Sequence, residues 1–153
     1  MMFFQPFETV FAADLLVAAL LGTLLGLERS IAGKHAGMRT YALVSLGSCL
    51  FVIVGTLASY QLAMFSSINP LQIAGSIVIG IGFIGSGLAF MGVREHAELT
   101  TAAGIWVAAG VGMASGFGLY LIALVSTIIA IAIFSLFLRV ENWVRGRFGT
   151  ESE

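Results

Sequence analysis

The sequence predicts an all-α polytopic membrane helix bundle of five transmembrane helices, with the N-terminus outside and the C-terminus cytoplasmic. Three observations predict it. The 153 residues are 59% hydrophobic and only 10% charged, with a mean hydropathy of +1.04, whereas a soluble domain carries about 25% charged residues. The apolar residues fall into five runs, at 11–29, 40–60, 71–92, 99–117 and 119–140, each close to the roughly 20 residues that cross a bilayer as a helix. The seven basic residues sit in three regions: Arg29, Lys34 and Arg39 around the first connection, Arg94 in the third, and Arg139, Arg145 and Arg147 after the last run. Five spans place all of them on one side, which marks that side as cytoplasmic; four or six spans would divide them. The whole chain, 1–153, reads as one transmembrane domain.

The opening stretch, MMFFQPFETVFAAD, lacks the basic n-region of a cleaved signal peptide. It reads as an interfacial lead-in, with Phe3, Phe4, Phe7 and Phe11 suited to the headgroup boundary and Pro6 limiting regular structure. The first run carries Gly22 and Gly26, a GxxxG pair that lets helices approach closely. Ser30–Arg39 is a polar hinge in which Gly33 and Gly37 turn the chain. The second run holds Cys49, the single cysteine, which excludes an intramolecular disulfide and reads as a small packing residue. An uncharged connection, Gln61–Pro70, leads to the third run.

In the third run Gly80, Gly82 and Gly85 match GxGxxG formally, but no strand precedes them and no acid lies about 20 residues on, as a dinucleotide site requires. They read instead as close helix packing or a helix break. The charged connection Val93–Glu98 comes next. In the fourth run Gly104, Ala108, Gly112 and Gly116 recur every four residues, with Gly110, Ala114 and Gly118 as a second row, so two helix faces admit close neighbours. Trp106 reads as core filler. Gly116-Phe117-Gly118 is a tight turn into the fifth run, after which Trp143 and Phe148 suit the inner interface. The expected surroundings are the lipid bilayer and a membrane partner, either another protein or a second copy; glycine seams do not separate these. The net charge of −1 offers no basic surface for nucleic acid.

The chemistry concentrates in few residues. Asp14 and Glu28 are 14 positions apart in the first run, about 21 Å along a helix, while the hydrocarbon core is about 30 Å thick. At least one therefore lies at membrane depth, where a carboxylate needs a partner or a proton. Glu28 has Arg29, Lys34 and Arg39 nearby. Asp14 has no basic residue on its side, so it is a helix N-cap before LLVAALL, or an intramembrane acid that is protonated, hydrogen-bonded, cation-bound or partnered by another chain. A metal at Asp14 or Glu28 is conceivable for a hard cation, but two carboxylates this far apart cannot share one ion. On the basic side Arg39-Thr40 and Thr100-Thr101 open the second and fourth runs. With Arg29, Lys34 and Arg94 they form a constellation suited to an anion, a lipid headgroup or an acidic segment, or they simply cap helices and set topology. His35 and His96 have no metal-site spacing, no nucleophile–base set is visible, and no cofactor is implied.

The motifs GLER, AGMRTYALV, GIGFIGSG and LTTAAGIWVAAGVGMASGFGLY, in that order, resemble the hydrophobic domain of the MgtC/SapB family of bacterial inner-membrane proteins over about 11–140. The resemblance implies a multi-span protein linked to growth in low magnesium and, in pathogens, to survival in macrophages, with some members restraining the membrane ATP synthase. The family's historical label is magnesium transport, though its members are generally not regarded as magnesium pumps. It marks Asp14, Glu28, Arg29, Gly37, Arg39, Thr40, Gly82, Gly85, Thr100, Thr101 and Trp106. Virulence-type members continue into a soluble C-terminal domain; here residues 141–153 lie beyond the last run. The two functions in competition are a regulator of a membrane complex and a passive or ion-coupled cation carrier lined by Asp14 and Glu28.

Overall fold

The structure, a computed structural model, describes residues 5–62, 69–91 and 95–148. Within them the chain is helical: α1 (Gln5–Ile31), α2 (Met38–Leu62), α3 (Pro70–Met91), α4 (Glu95–Gly116), α5 (Tyr120–Ala132), a π-helical turn (Ile133–Phe137) and α6 (Leu138–Phe148). Five helical stretches are long and apolar enough to cross a membrane: Thr9–Ile31, Met38–Gln61, Leu71–Phe90, Leu99–Gly116 and Tyr120–Val140. The chain is thus a membrane protein with the five spans expected from its apolar runs.

Three boundaries differ from the sequence reading. The lead-in is already helix, because α1 starts at Gln5; Pro6 falls in the first turn, where its missing N–H leaves no bond unmade. Phe11 packs with Leu15 on a small cluster of Ala18, Cys49 and Ile53, while Phe3, Phe4 and the side chain of Phe7 lie outside the described residues. The α4 helix begins at Glu95, so Thr100 and Thr101 are interior residues and no helix N-terminus lies at them. The last apolar run is one span, but it is broken in register by the π turn. Most of Gln61–Pro70, the Val93–Glu98 side chains with Arg94, and the side chains of Arg145 and Phe148 lie outside the described residues.

The two described turns share one geometry. After α1, Lys34 N–H donates to the Arg29 carbonyl (3.0 Å) and Gly33 N–H to that of Ser30 (3.1 Å), with Gly33 at φ +66°. After α4, Leu119 N–H donates to Ala114 (2.8 Å) and Gly118 N–H to Ser115 (2.9 Å), with Gly118 at φ +72°. Both are Schellman stops, in which the left-handed residue is glycine because a Cβ there is strained.

At the centre α2 is clasped between α1 and α4. A Cβ on Gly22 would meet Ser45 Cβ and the Tyr41 carbonyl at 2.7 Å, and one on Gly26 would meet Met38 Cα at 2.6 Å. From the other side a Cβ on Gly112 would collide with the Ser45 carbonyl, and one on Gly116 would meet that of Cys49 at 2.8 Å. Ser45, fully buried, donates to the Ala18 carbonyl at 2.8 Å. Both the GxxxG of α1 and the row of Gly104, Gly112 and Gly116 therefore press on the same stretch of α2, with Ala108 buried in the same core, whereas Gly110 of the expected second row has open space at its Cβ. Gly82 behaves otherwise: nothing lies within 4 Å of its Cβ position, and Gly85 makes only ordinary contact with Ala102. The expected tight packing at Gly82 does not occur within this chain, because α3 lies at the rim and turns its glycine-bearing face outward. Trp106 is likewise no core filler, being 54% exposed.

Candidate functional site

The α1 and α5 helices run parallel and meet at two levels. At one, the Tyr120 hydroxyl donates to the Asp14 carboxylate. At the other, the Arg29 guanidinium lies over the Phe134 ring, 4.6 Å from its centroid. The levels are 15 residues apart on α1 and 14 along the fifth span, from Tyr120 of α5 to Phe134 of the π turn, about 21–22 Å in each case, so parallel spans in register explain both.

Asp14 is not an N-cap. It lies nine residues inside α1 and is 3% exposed. Its depth follows from helix length: α1 must begin well before Asp14 to span, and the acid then faces the bundle rather than lipid. Tyr120 can reach it because the Gly118 turn starts α5 at the same end.

Arg29 forms a second buried node. Its side chain is 4% exposed. One Nη lies 3.5 Å from Glu28 Oε2, and the other donates to Thr101 Oγ1 at 3.3 Å. The Tyr41 hydroxyl donates to the Thr101 carbonyl at 3.1 Å. Gly104 makes room for this arrangement: a Cβ there would collide with the Tyr41 hydroxyl and meet Phe134 Cζ at 2.7 Å. Side chains from α1, α2, α4 and the π turn thus close around one guanidinium. The ion pair is longer than the roughly 2.7–2.9 Å of a good charge-assisted bond, and among the described residues both Glu28 Oε2 and Arg29 Nε lack a hydrogen-bond partner. Such a node adds little net stability but penalises any arrangement that leaves the charges alone.

The structure therefore brings Glu28, Arg29 and Thr101 together and leaves the rest of the constellation apart. Arg39 and Thr100 are exposed and Thr40 is half-buried. Sequence reasoning missed Tyr41, Tyr120 and Phe134. Tyr41 was visible inside AGMRTYALV; Phe134 had no signal, because the π turn sets its direction.

Between the two levels the contact among α1, α4 and α5 is apolar, and an apolar cavity of about 570 Å³ lies to one side between α2 and α3, lined among others by Val44, Ser48, Phe51, Ile77 and Ile81. Leu21 and Leu25 of α1 share one core with Ile105 and Ala108 of α4 and Ala123 and Ala130 of α5, each at most 7% exposed, while Ala18 packs on Cys49 and Ile53 of α2. The hydroxyls in this region return to backbone carbonyls: Ser45 to Ala18, Ser115 to Val111 and Thr127 to Ala123. No continuous polar file joins Asp14 to Glu28 among the described residues. Nor do three or more His, Cys, Asp or Glu gather there as a metal centre would require.

The sequence profile of the MgtC family matches residues 15–143. Among curated relatives, YhiD of Escherichia coli K12 is 35% identical over 129 residues, covering 83% of this chain and 60% of its own length. SrpB of Synechococcus elongatus is 37% identical over 142 residues, 86% of this chain and 78% of that protein. MgtC of Brucella abortus is 40% identical over 122 residues, 80% of this chain and 49% of that protein. The chain thus spans about half to three-quarters of these relatives. No solved structure matches. A profile match over most of the five spans, with several relatives above 30% identity, establishes that the chain belongs to the MgtC family.

Proposed function

We propose that the protein is a regulatory component of the bacterial inner membrane. Its Arg29 side faces the cytoplasm, and it supports adaptation to limiting magnesium by acting on a membrane partner such as the ATP synthase. The observation that carries this reading is the apolar layer between the Asp14–Tyr120 and Arg29–Glu28 levels. A carrier needs a wet or switchable route between its carboxylates, whereas a regulator needs a bundle of defined shape and a free face. The outward side of α3, with Ile79 and Phe83 about four-fifths exposed, is such a face for another protein or a second copy.

The second reading is a passive or ion-coupled carrier of magnesium or protons using Asp14 and Glu28. It is favoured by the burial of Asp14 inside the first span and by the name of the E. coli relative, which proposes magnesium transport for that protein. One experiment separates the two: magnesium and proton flux into liposomes holding the folded protein, beside ATP-synthase activity in inverted membrane vesicles with and without it. Regulation predicts no flux and a changed synthase rate. Flux that disappears in Asp14→Asn establishes the carrier instead.

A further inference from the structure

The end of α5 carries a surface that the bundle leaves unused. Span five ends at Val140, yet helix continues to Phe148 with ordinary helical angles at the junction, φ −60° and ψ −41° at Leu138. Among the described residues, the α6 helix touches nothing but the π turn from which it emerges. Its apolar side chains Leu138, Val140, Trp143 and Val144 are between 41% and 61% exposed. In sequence, 138–148 holds three arginines against one acid.

Depth decides what covers this surface. The hydrocarbon core is about 30 Å thick and the bilayer with headgroups about 40–45 Å, so each headgroup layer is about 5–8 Å deep. At about 1.5 Å per residue, Trp143 stands about 4–5 Å beyond Val140 and the Arg147 backbone about 10 Å beyond it. Helical side chains lean back toward the N-terminus. Arg147 does so, placing its guanidinium 5.7 Å from the centre of the Trp143 ring. The cation is thereby returned to the level of the indole, inside the headgroup layer. Arg139 is exposed one residue before the end of the span, within a flexible stem's length of the same layer.

We propose that α6 is an anionic-phospholipid collar: Arg139 and the stacked Arg147–Trp143 couplet bind headgroup phosphates of the leaflet on the Arg29 side. Charge complementarity and continuity with span five select the lipid as occupant. A tryptophan alone marks an interface, and an arginine alone marks topology. An arginine held on a tryptophan at phosphate level presents planar donors to phosphate while the indole covers the acyl boundary. This inference does not rest on the regulatory reading.

The test uses the full chain with Trp106→Phe, so that Trp143 is its only tryptophan. The protein is reconstituted in phosphatidylcholine vesicles with and without phosphatidylglycerol, and Trp143 is followed by acrylamide quenching and by a headgroup-attached quencher. The collar predicts that phosphatidylglycerol shields Trp143 from acrylamide, exposes it to the headgroup quencher, and loses both effects at high salt. Removing a charge by Arg139→Gln or Arg147→Gln reduces the docked-to-free ratio about fivefold each, while Arg147→Lys retains the dependence on anionic lipid. Equal behaviour of Trp143 in both vesicles overturns the proposal. So does shielding that ignores salt, which would be apolar insertion alone, and so does shielding that appears only when an acidic protein is added. The substituted side chains lie outside the bundle core, so a folded Trp106→Phe parent leaves each of these outcomes readable.

Discussion

Arg29 is held by contacts that are each modest: a long ion pair, one hydrogen bond at 3.3 Å and a ring face. The stacking is worth up to about 2 kcal/mol when dry. The larger quantity is the cost of leaving Glu28 without it. Arg29→Gln should destabilise the bundle by about 3–5 kcal/mol, measured by denaturant unfolding in detergent. Arg29→Lys should recover little, since an ammonium has no planar face for Phe134. The double change Glu28→Gln with Arg29→Met should cost much less than Arg29→Gln, because neither charge is then buried. A double mutant no better than the single would remove the ion-pair account. At the other level, Asp14→Asn keeps an acceptor for Tyr120 and should leave insertion and stability close to wild type. Tyr120→Phe strands the acid and should cost about 1–3 kcal/mol, read in the same unfolding assay. Asp14 and Arg29 were legible in the sequence because charge at membrane depth is rare. Their partners were not, because Tyr120 and Phe134 are 106 and 105 residues away and are ordinary membrane-helix residues.

Among the elements, the glycines divide into two kinds that sequence spacing does not distinguish. Gly22 and Gly112 press on Ser45 from opposite sides, so Gly112→Ala or Gly22→Ala must part α2 from a neighbour. Each should cost about 1–3 kcal/mol by overpacking, seen as a lower unfolding midpoint in detergent. Gly82→Ala has open space at its Cβ and should be neutral or stabilising by up to about 1 kcal/mol through helix propensity. Equal losses at Gly82 and Gly112 would contradict this assignment. The π turn is the other element-level device. One extra residue in the turn rotates the helix beyond it, and here it accompanies the burial of Phe134 against Arg29 within a span whose other large side chains mostly face outward. Deleting Ser135 should restore a regular helix, displace Phe134 and weaken the Arg29 node, with a stability loss of the same order as Phe134→Ala, about 3–5 kcal/mol.

At the scale of the molecule, the two rungs between α1 and α5 bind the first span to the last. They are in register only because an odd number of spans makes these helices parallel. The buried charges Asp14 and Arg29 lie at opposite ends of the bundle, and the middle holds small and branched apolar side chains with hydroxyls, such as Ser45 and Thr127, tied to backbone carbonyls. A flux experiment on the wild-type protein therefore examines the architecture itself. The regulatory reading expects a rate indistinguishable from protein-free liposomes, and sustained magnesium or proton entry would require the apolar layer to open.

The sequence by itself determined the class, the five spans and the family resemblance, and it singled out Asp14, Glu28 and Arg29 as the charged residues of the first apolar run. These are additive properties of composition and hydrophobic run length, summed over about 20 residues at a time, and they survive errors of a few residues at any boundary. Only the tertiary structure decided that Asp14 is a buried acid inside α1, that Thr101 joins Arg29 while Thr100 faces out, that Trp106 leaves the core, and that Gly112 packs where Gly82 does not. Those outcomes depend on helix rotation. A shift of one residue turns a side chain by about 100°, and nearly uniform apolarity around these helices leaves no local pattern to fix that angle; it is set by how α1, α2 and α4 close on one another.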